Sequence, residues 1–279
     1  MGSSLGGSRL LRWLLPAFTG LVVAFLFAPI VVMIIFSFNN PRGHQNITWQ
    51  GFTLDNYLNV WSRPDITDPM VTSLTIAIVS TVVATIFGTL IALSLTRYEF
   101  RGRGLMNLLI FIPMTAPEII LGASLLTLWV ALGTGRGLPT ILVAHIMFNI
   151  SYVVVTVRAR LIGFNRSLEE AGMDLYANER TTFWRVTFPL IFPGILAAAL
   201  LAFALSIDDY VITLFSAGHT VTFPLWVYGA SRIGIPPEVN ALGTVFFLIA
   251  FVFIAVQIWA QRRGGREAEG PAVATVASR

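Results

Sequence analysis

The sequence predicts an all-α polytopic membrane protein with six transmembrane helices and both termini in the cytoplasm. Three observations carry that expectation. Hydrophobic residues make up 56% of the 279 positions and charged residues only 11%, against about 25% charged in soluble domains. Mean hydropathy is +0.77. Six runs are long enough to cross a hydrocarbon core, which takes about 20 mostly apolar residues.

In chain order the spans are predicted at 13–38, 71–96, 105–132, 138–157, 190–215 and 241–261. The first is too long for a signal peptide and lacks a small-residue cleavage site. A short polar segment, 1–12, precedes it, and a polar tail, 262–279, follows the sixth. No convincing internal repeat links the spans.

Orientation follows from arginine. All 18 basic residues are Arg, and 14 of them fall on one side of this topology. These are Arg9 and Arg12, Arg97 to Arg103, Arg158 to Arg185, and those after the sixth span. Only Arg42, Arg63, Arg136 and Arg232 fall on the other. The positive-inside rule then puts both ends in the cytoplasm, which an even number of spans satisfies.

Composition also excludes functions. With no Cys, disulfides, thiol catalysis and Cys-based metal sites are ruled out. With no Lys, the phosphate-gripping residue of a Walker A loop is missing, so ATP hydrolysis by this motif must come from another chain. The basic pI is explained by topology rather than by nucleic acid.

Two external loops are predicted, 39–69 and 216–240. The first carries Trp49, Phe52, Tyr57 and Trp61 beside Asp55, Asp65 and Asp68. These rings either anchor at the membrane interface or form a docking surface for an extracytoplasmic partner. In the second, Pro224, Pro236 and Pro237 interrupt any continuous helix, leaving a short amphipathic helix at 223–231.

The longest cytoplasmic segment, 158–189, reads RARLIGFNRSLEEAGMDLYANERTTFWRVTFP. Ser167 followed by Glu170 has capping-box spacing. Leu168, Ala171, Leu175 and Asn178 recur at helical spacing, so a short helix is expected, with Asp174 and Glu179 facing water or a partner. The residues alone fit a solvated connector or a helix placed to take a push from a neighbouring protein.

This segment resembles the EAA loop of the permeases of ABC importers. That pattern is Glu-Ala-Ala, three residues, Gly, nine residues, Ile-x-Leu-Pro. Here it reads Glu170-Ala171-Gly172, then Tyr176, then Val186-x-Phe188-Pro189. The spacing is kept, while Gly172 replaces the second alanine and Tyr176 the glycine. The resemblance spans about 11–261. It is closest to the polyamine (spermidine/putrescine) permeases, through Ser37-Phe38-Asn39, Trp49-Gln50-Gly51-Phe52-Thr53 and Arg97-Tyr98-x-Phe100-Arg101-Gly102. Phe203-x-Leu205-Ser206-Ile207-Asp208-Asp209 and Pro237-Glu238-Val239-Asn240-Ala241 extend it. The resemblance implies the type I ABC-importer permease fold and half of a translocation pathway. It also implies a second permease (identical or homologous), two copies of an ATPase that uses ATP and Mg, and an extracytoplasmic polyamine-binding protein. Glu170, Ala171, Gly172, Asp174, Leu175, Glu179 and Pro189 would then serve coupling to that ATPase. This chain would hold no cofactor and no metal, and would perform no catalysis.

Three carboxylates fall inside predicted spans: Glu118, Asp208 and Asp209. Each costs roughly 2.5–3.5 kcal/mol at a helix centre on insertion scales, and such residues by default mark substrate or ion pathways; the alternatives are a hydrated Glu118 near a membrane face and a structural aspartate pair. An acid-lined pore favours cations. Neighbouring helical residues point about 100° apart, so one aspartate is expected to line the path and the other to hold a neighbouring helix. Pro117 kinks the third span beside Glu118. Ser206 is either a further ligand or a packing residue, and Tyr210 supplies an aromatic face for a cation. His145 and Asn149 share one face of the fourth span, where interhelical hydrogen bonding is expected. A secondary transporter or cation channel would explain the acids equally well, but not the EAA-spaced loop.

Overall fold

Why the long apolar runs fold as they do is visible in the computed structural model of the chain, which describes residues 9–43, 45–249 and 251–252. A buried backbone must satisfy its own hydrogen bonds in lipid, and helices do so within one segment. The described residues are accordingly helical, with one isolated antiparallel bridge between Asn39 and Phe52. They divide into two units, Asp65–Gly229 and the flanking Met1–Pro64 with Ala230–Arg279.

In the flanking unit, α1 (Arg9–Phe36) is a single helix through Pro16 and Pro29. Its C-terminal carbonyls are orphaned by helix geometry, and amide side chains from the following loop satisfy them. Asn46 Nδ2 donates to Phe36 O at 2.8 Å, and Asn56 Nδ2 donates to Ser37 O and Asn39 O at 2.8 Å each. Asn39, fully buried, donates to Asn46 Oδ1 and Thr48 O and accepts from the Gln50 amide, all at 2.7 Å. This loop leads into α2 (Asp55–Asn59) and a 3₁₀ turn. Of its aromatics, Trp49, Phe52 and Trp61 are exposed, while the Tyr57 hydroxyl pairs with Ser37 Oγ at 2.6 Å. The last described helix, α12 (Pro237–Ile249), covers the first part of the predicted sixth span. Residues 251–252 apart, the rest of that span, the tail and residues 1–8 lie outside the described residues. Arg63 binds Glu238 of α12 at 3.0 Å.

In the central unit, the predicted spans appear as α3 (Pro64–Arg97), α4 (Arg103–Thr115), α5 (Glu118–Ala131), α6 (Leu138–Ile162) and α9 (Phe188–Ile207). Between α6 and α9 lie α7 (Ser167–Asp174), α8 (Glu179–Thr182) and a π-helical segment, Phe183–Thr187. After α9 come α10 (Val211–Ser216) and α11 (Phe223–Ser231), the latter at the predicted bounds. Among the described residues of both units, four helices, α1 included, are long and apolar enough to cross a membrane, or five when α4 and α5 count as one bent span.

Two expectations of continuous spans are corrected. The third, 105–132, is two helices bent by 109°. Ala116 is extended (φ −72°, ψ 138°), as a residue before proline prefers, so Pro117 breaks the helix outright rather than kinking it. The fifth, 190–215, stops at Ile207 and resumes at Val211. A further correction concerns the start of α7. Ser167 and Glu170 do not form the capping box: Arg166 is the cap residue, and Asn165 Oδ1 accepts from the Ser167 amide at 3.1 Å.

Close helix approach relies on small residues, as is usual in membrane bundles. A Cβ on Gly88 of α3 would sit 2.6 Å from Val153 Cγ1 of α6. One on Gly122 of α5 would sit 2.3 Å from the Phe215 ring of α10. Ala84 and Ala92 of α3, Val154 and Val157 of α6, and Ala198 and Ala202 of α9 pack in one core.

Candidate functional site

The break between α9 and α10 is held by a polar chain that crosses the central unit. Asp209, with its side chain 10% exposed, accepts at Oδ2 from the Thr213 amide and from Thr213 Oγ1, both at 2.7 Å. The carboxylate thus caps α10, whose first-turn amides lack helical partners. His145 Nε2 lies 2.9 Å from Thr213 Oγ1 and 3.4 Å from Asp209 Oδ2. His145 Nδ1 lies 2.7 Å from Ser206 Oγ, which lies 3.0 Å from Ser80 Oγ of α3. Because Thr213 gives its only hydroxyl proton to the carboxylate, its oxygen must accept from His145 Nε2–H. The hydrogen bonds continue from Nδ1 to Ser206 Oγ and from there to Ser80 Oγ, which also reaches Ala77 O at 3.3 Å. All polar atoms of this chain are satisfied across α3, α6, α9 and α10, without a metal cluster among the described residues.

The predicted pathway residues therefore separate. Asp209 and Ser206 are joined through His145 inside the unit, and Ser206 is only 5% exposed. Asp208, one residue away, is exposed. Its backbone (φ −101°, ψ 0°) ends α9, so the two carboxylates diverge at a helix end rather than around a continuous helix. Tyr210 lies against Tyr228 of α11, ring centroids 4.6 Å apart. Glu118 is not part of the polar chain. It is exposed in the first turn of α5, immediately after the 109° break. His145 makes the expected interhelical bonds, whereas both polar atoms of the buried Asn149 lack a hydrogen-bond partner. Sequence reasoning did not single out Ser80, Thr213 or Tyr228. Spacing gives no signal for Ser80, which meets Ser206 from 126 positions away.

The EAA-like segment forms the second part of the site. Helix α7 has no buried residue. Glu170, Ala171, Asp174, Leu175 and Glu179 are exposed, as is Pro189, while Gly172 is half-buried. Exposed Leu168, Met173 and Leu175 add apolar surface beside these acids. Contiguous exposed apolar surface with a polar rim marks interaction sites.

The helix ends in a Schellman motif. Tyr176 N–H donates to Met173 O at 3.0 Å and Ala177 N–H to Gly172 O at 3.3 Å, with Tyr176 at φ +65°. That left-handed position suits glycine, and it is where the EAA pattern has one. The turn is thus kept despite the substitution. A residue that spacing alone passed over, Glu169, faces inward. It binds Arg97 at the end of α3 and accepts from Thr187 Oγ1 in the π-helical segment.

The described residues form bent and interrupted apolar helices with an exposed helix between two of them, and solved ABC transporters share this fold. A bacterial ABC transporter involved in the import of the acidic polysaccharide alginate superposes with TM-score 0.63 at 18% identity, covering 94% of this chain and 99% of that one. The MetNI methionine ABC transporter matches with TM-score 0.55 at 18% identity, over 71% and 93% of the two chains.

Residues 84–264 match the family described as binding-protein-dependent transport system inner membrane component, and the chain belongs to that family. It is an inner-membrane transport component, not an enzyme. The spermidine/putrescine transport system permease protein PotC of Escherichia coli K12 is 38% identical over 247 residues, 88% of this chain and 92% of that protein. The putrescine transport system permease protein PotI of the same strain is 38% identical over 229 residues, covering 79% and 81%.

Proposed function

We propose that this chain is the transmembrane permease subunit of an ATP-driven importer of polyamines, forming half of the translocation pathway. The observation that carries this reading is the helix break at Asp208–Tyr210. It carries an exposed carboxylate two residues before Tyr210, whose ring lies against Tyr228, in a chain whose relatives are named as spermidine/putrescine and putrescine permeases. A linear polyamine carries ammonium groups separated by methylenes. A carboxylate neutralises the charge, and aromatic faces attract ammonium cations while the methylenes lie against the rings. Asp208, Tyr210 and Glu118 serve the pathway. Asp209 and Ser206 hold the break in place through His145.

The chain crosses the membrane six times with both termini in the cytoplasm, spans the domain 13–261, and exposes α7 on the cytoplasmic face. There Glu170, Ala171, Gly172, Asp174, Leu175 and Glu179 dock a separate ATPase, with Pro189 opening the following span. A second permease, two ATPase copies using ATP and Mg, and an extracytoplasmic polyamine-binding protein complete the assembly. The exposed Trp49, Phe52 and Trp61 loop is the surface for that binding protein. The test is purification of the chain with its natural partners. Recovery of a Walker-type ATPase that is lost in Glu170→Arg is the expected result; undiminished ATPase recovery with Glu170→Arg contradicts the docking role.

A further inference from the structure

We infer that Glu169 is the positioning residue that links the coupling helix to the polar chain at the helix break. The inference rests on the docking role proposed for α7. Helix α7 has no buried residue, and its Gly172 faces the Thr182 and Val186 side chains. Its firm attachment is the Glu169 carboxylate, half-buried and shared between Arg97 and Thr187. A weaker contact, Arg166 Nη2 to the Thr96 carbonyl at 3.4 Å, reaches the same end of α3.

The two partners of Glu169 belong to two helices that meet again elsewhere. Arg97 is the last residue of α3, and Thr187, 1% exposed, is the last residue before α9. Roughly 25 Å back along α3 and roughly 29 Å on toward the end of α9, at 1.5 Å per residue, Ser80 of α3 pairs with Ser206 of α9 at 3.0 Å. Helices α3 and α9 are therefore antiparallel and tied at two points, the second in the middle of α3 and near the end of α9. Glu169 closes one tie and the Ser80–Ser206–His145 chain the other. Between the ties, Ala84 and Ala92 of α3 and Ala198 and Ala202 of α9 lie in one core with Val153, Val154 and Val157 of α6, which holds the two helices in one body. A displacement of α7 is delivered to both helices through the carboxylate they share, with the Arg166 contact to α3 beside it. It reaches the Asp208–Tyr210 break along α9. The π-helical segment that ends at Thr187 supplies the compliance, since such segments are local departures from the helical ladder that recur at functional sites. Glu170, pointing outward beside it, meets the partner; Glu169 passes the movement inward.

The experiment uses the complete transporter in proteoliposomes, with the binding protein outside and ATP inside, and measures putrescine uptake per ATP hydrolysed. Glu169→Gln keeps shape and loses the charge on Arg97. Thr187→Val removes the second arm with a side chain of the same size. Both variants are expected to retain co-purification of the ATPase and to lose at least tenfold in uptake per ATP. Arg97→Glu combined with Glu169→Arg is expected to recover part of that loss. Unchanged uptake per ATP in both single variants overturns the assignment. So does loss of ATPase co-purification in Glu169→Gln, which would make Glu169 part of the docking surface. Glu170→Arg, run in parallel, separates the two claims: normal ATPase recovery there refutes docking through α7, whereas loss there with normal coupling in Glu169→Gln refutes only the link.

Discussion

Asp208 and Asp209 are neighbours with opposite surroundings, and replacing each should have opposite consequences. Asp209 accepts two hydrogen bonds at 2.7 Å from Thr213 and faces His145 at 3.4 Å. Hydrogen bonds within membrane proteins average about 0.6 kcal/mol. Those to an ionised acceptor reach about 1.5–3 kcal/mol, and losing a helix cap costs about 1 kcal/mol. Asp209→Ala removes all of these and leaves the Thr213 hydroxyl and His145 without their acceptor, for a loss of about 2–4 kcal/mol. Asp208→Asn touches no such network and should change stability by less than about 0.5 kcal/mol, while lowering polyamine uptake at least tenfold. The assay is equilibrium unfolding of the purified chain in mixed micelles, read by tryptophan fluorescence, alongside uptake in reconstituted transporter. Equal destabilisation by the two variants, or normal uptake with Asp208→Asn, refutes this division of roles.

Other substitutions probe the frame around that site. Tyr176→Gly should raise the melting temperature by about 2 °C, because an exposed tyrosine at φ +65° sits where L side chains are strained; a lower melting temperature contradicts this. Gly122→Val should cost about 1–3 kcal/mol by overpacking, since its Cβ would meet the Phe215 ring at 2.3 Å. Unfolding in the same micelles checks it, and an unchanged midpoint would show that α5 and α10 are free to separate.

Hydropathy alone revealed the spans of α1, α3, α6 and α9, because burial in lipid demands long apolar helices. Proline placement made α11 legible to the residue. The 109° break was half visible: Pro117 announced a disturbance, but its size depends on Ala116 adopting an extended backbone. The interruption at Asp208–Tyr210 was not visible as a break, since it is fixed by Thr213 and by His145 from 64 or more positions away in α6. The same applies to the adjacent glutamates. Local spacing could not tell that Glu169 turns inward, because Arg97, its partner, lies 72 positions earlier. The register of the EAA segment was legible from its spacing, but the shape of the turn at Tyr176 was not; the backbone hydrogen bonds of the turn define it.

The most direct measurement is uptake of labelled putrescine and spermidine into proteoliposomes containing this chain with its co-purified partners, with and without internal ATP and Mg. Uptake that requires ATP, the ATPase and the binding protein, and that collapses with Asp208→Asn, is the predicted result. Cation movement by this chain alone, or uptake indifferent to ATP, would contradict it.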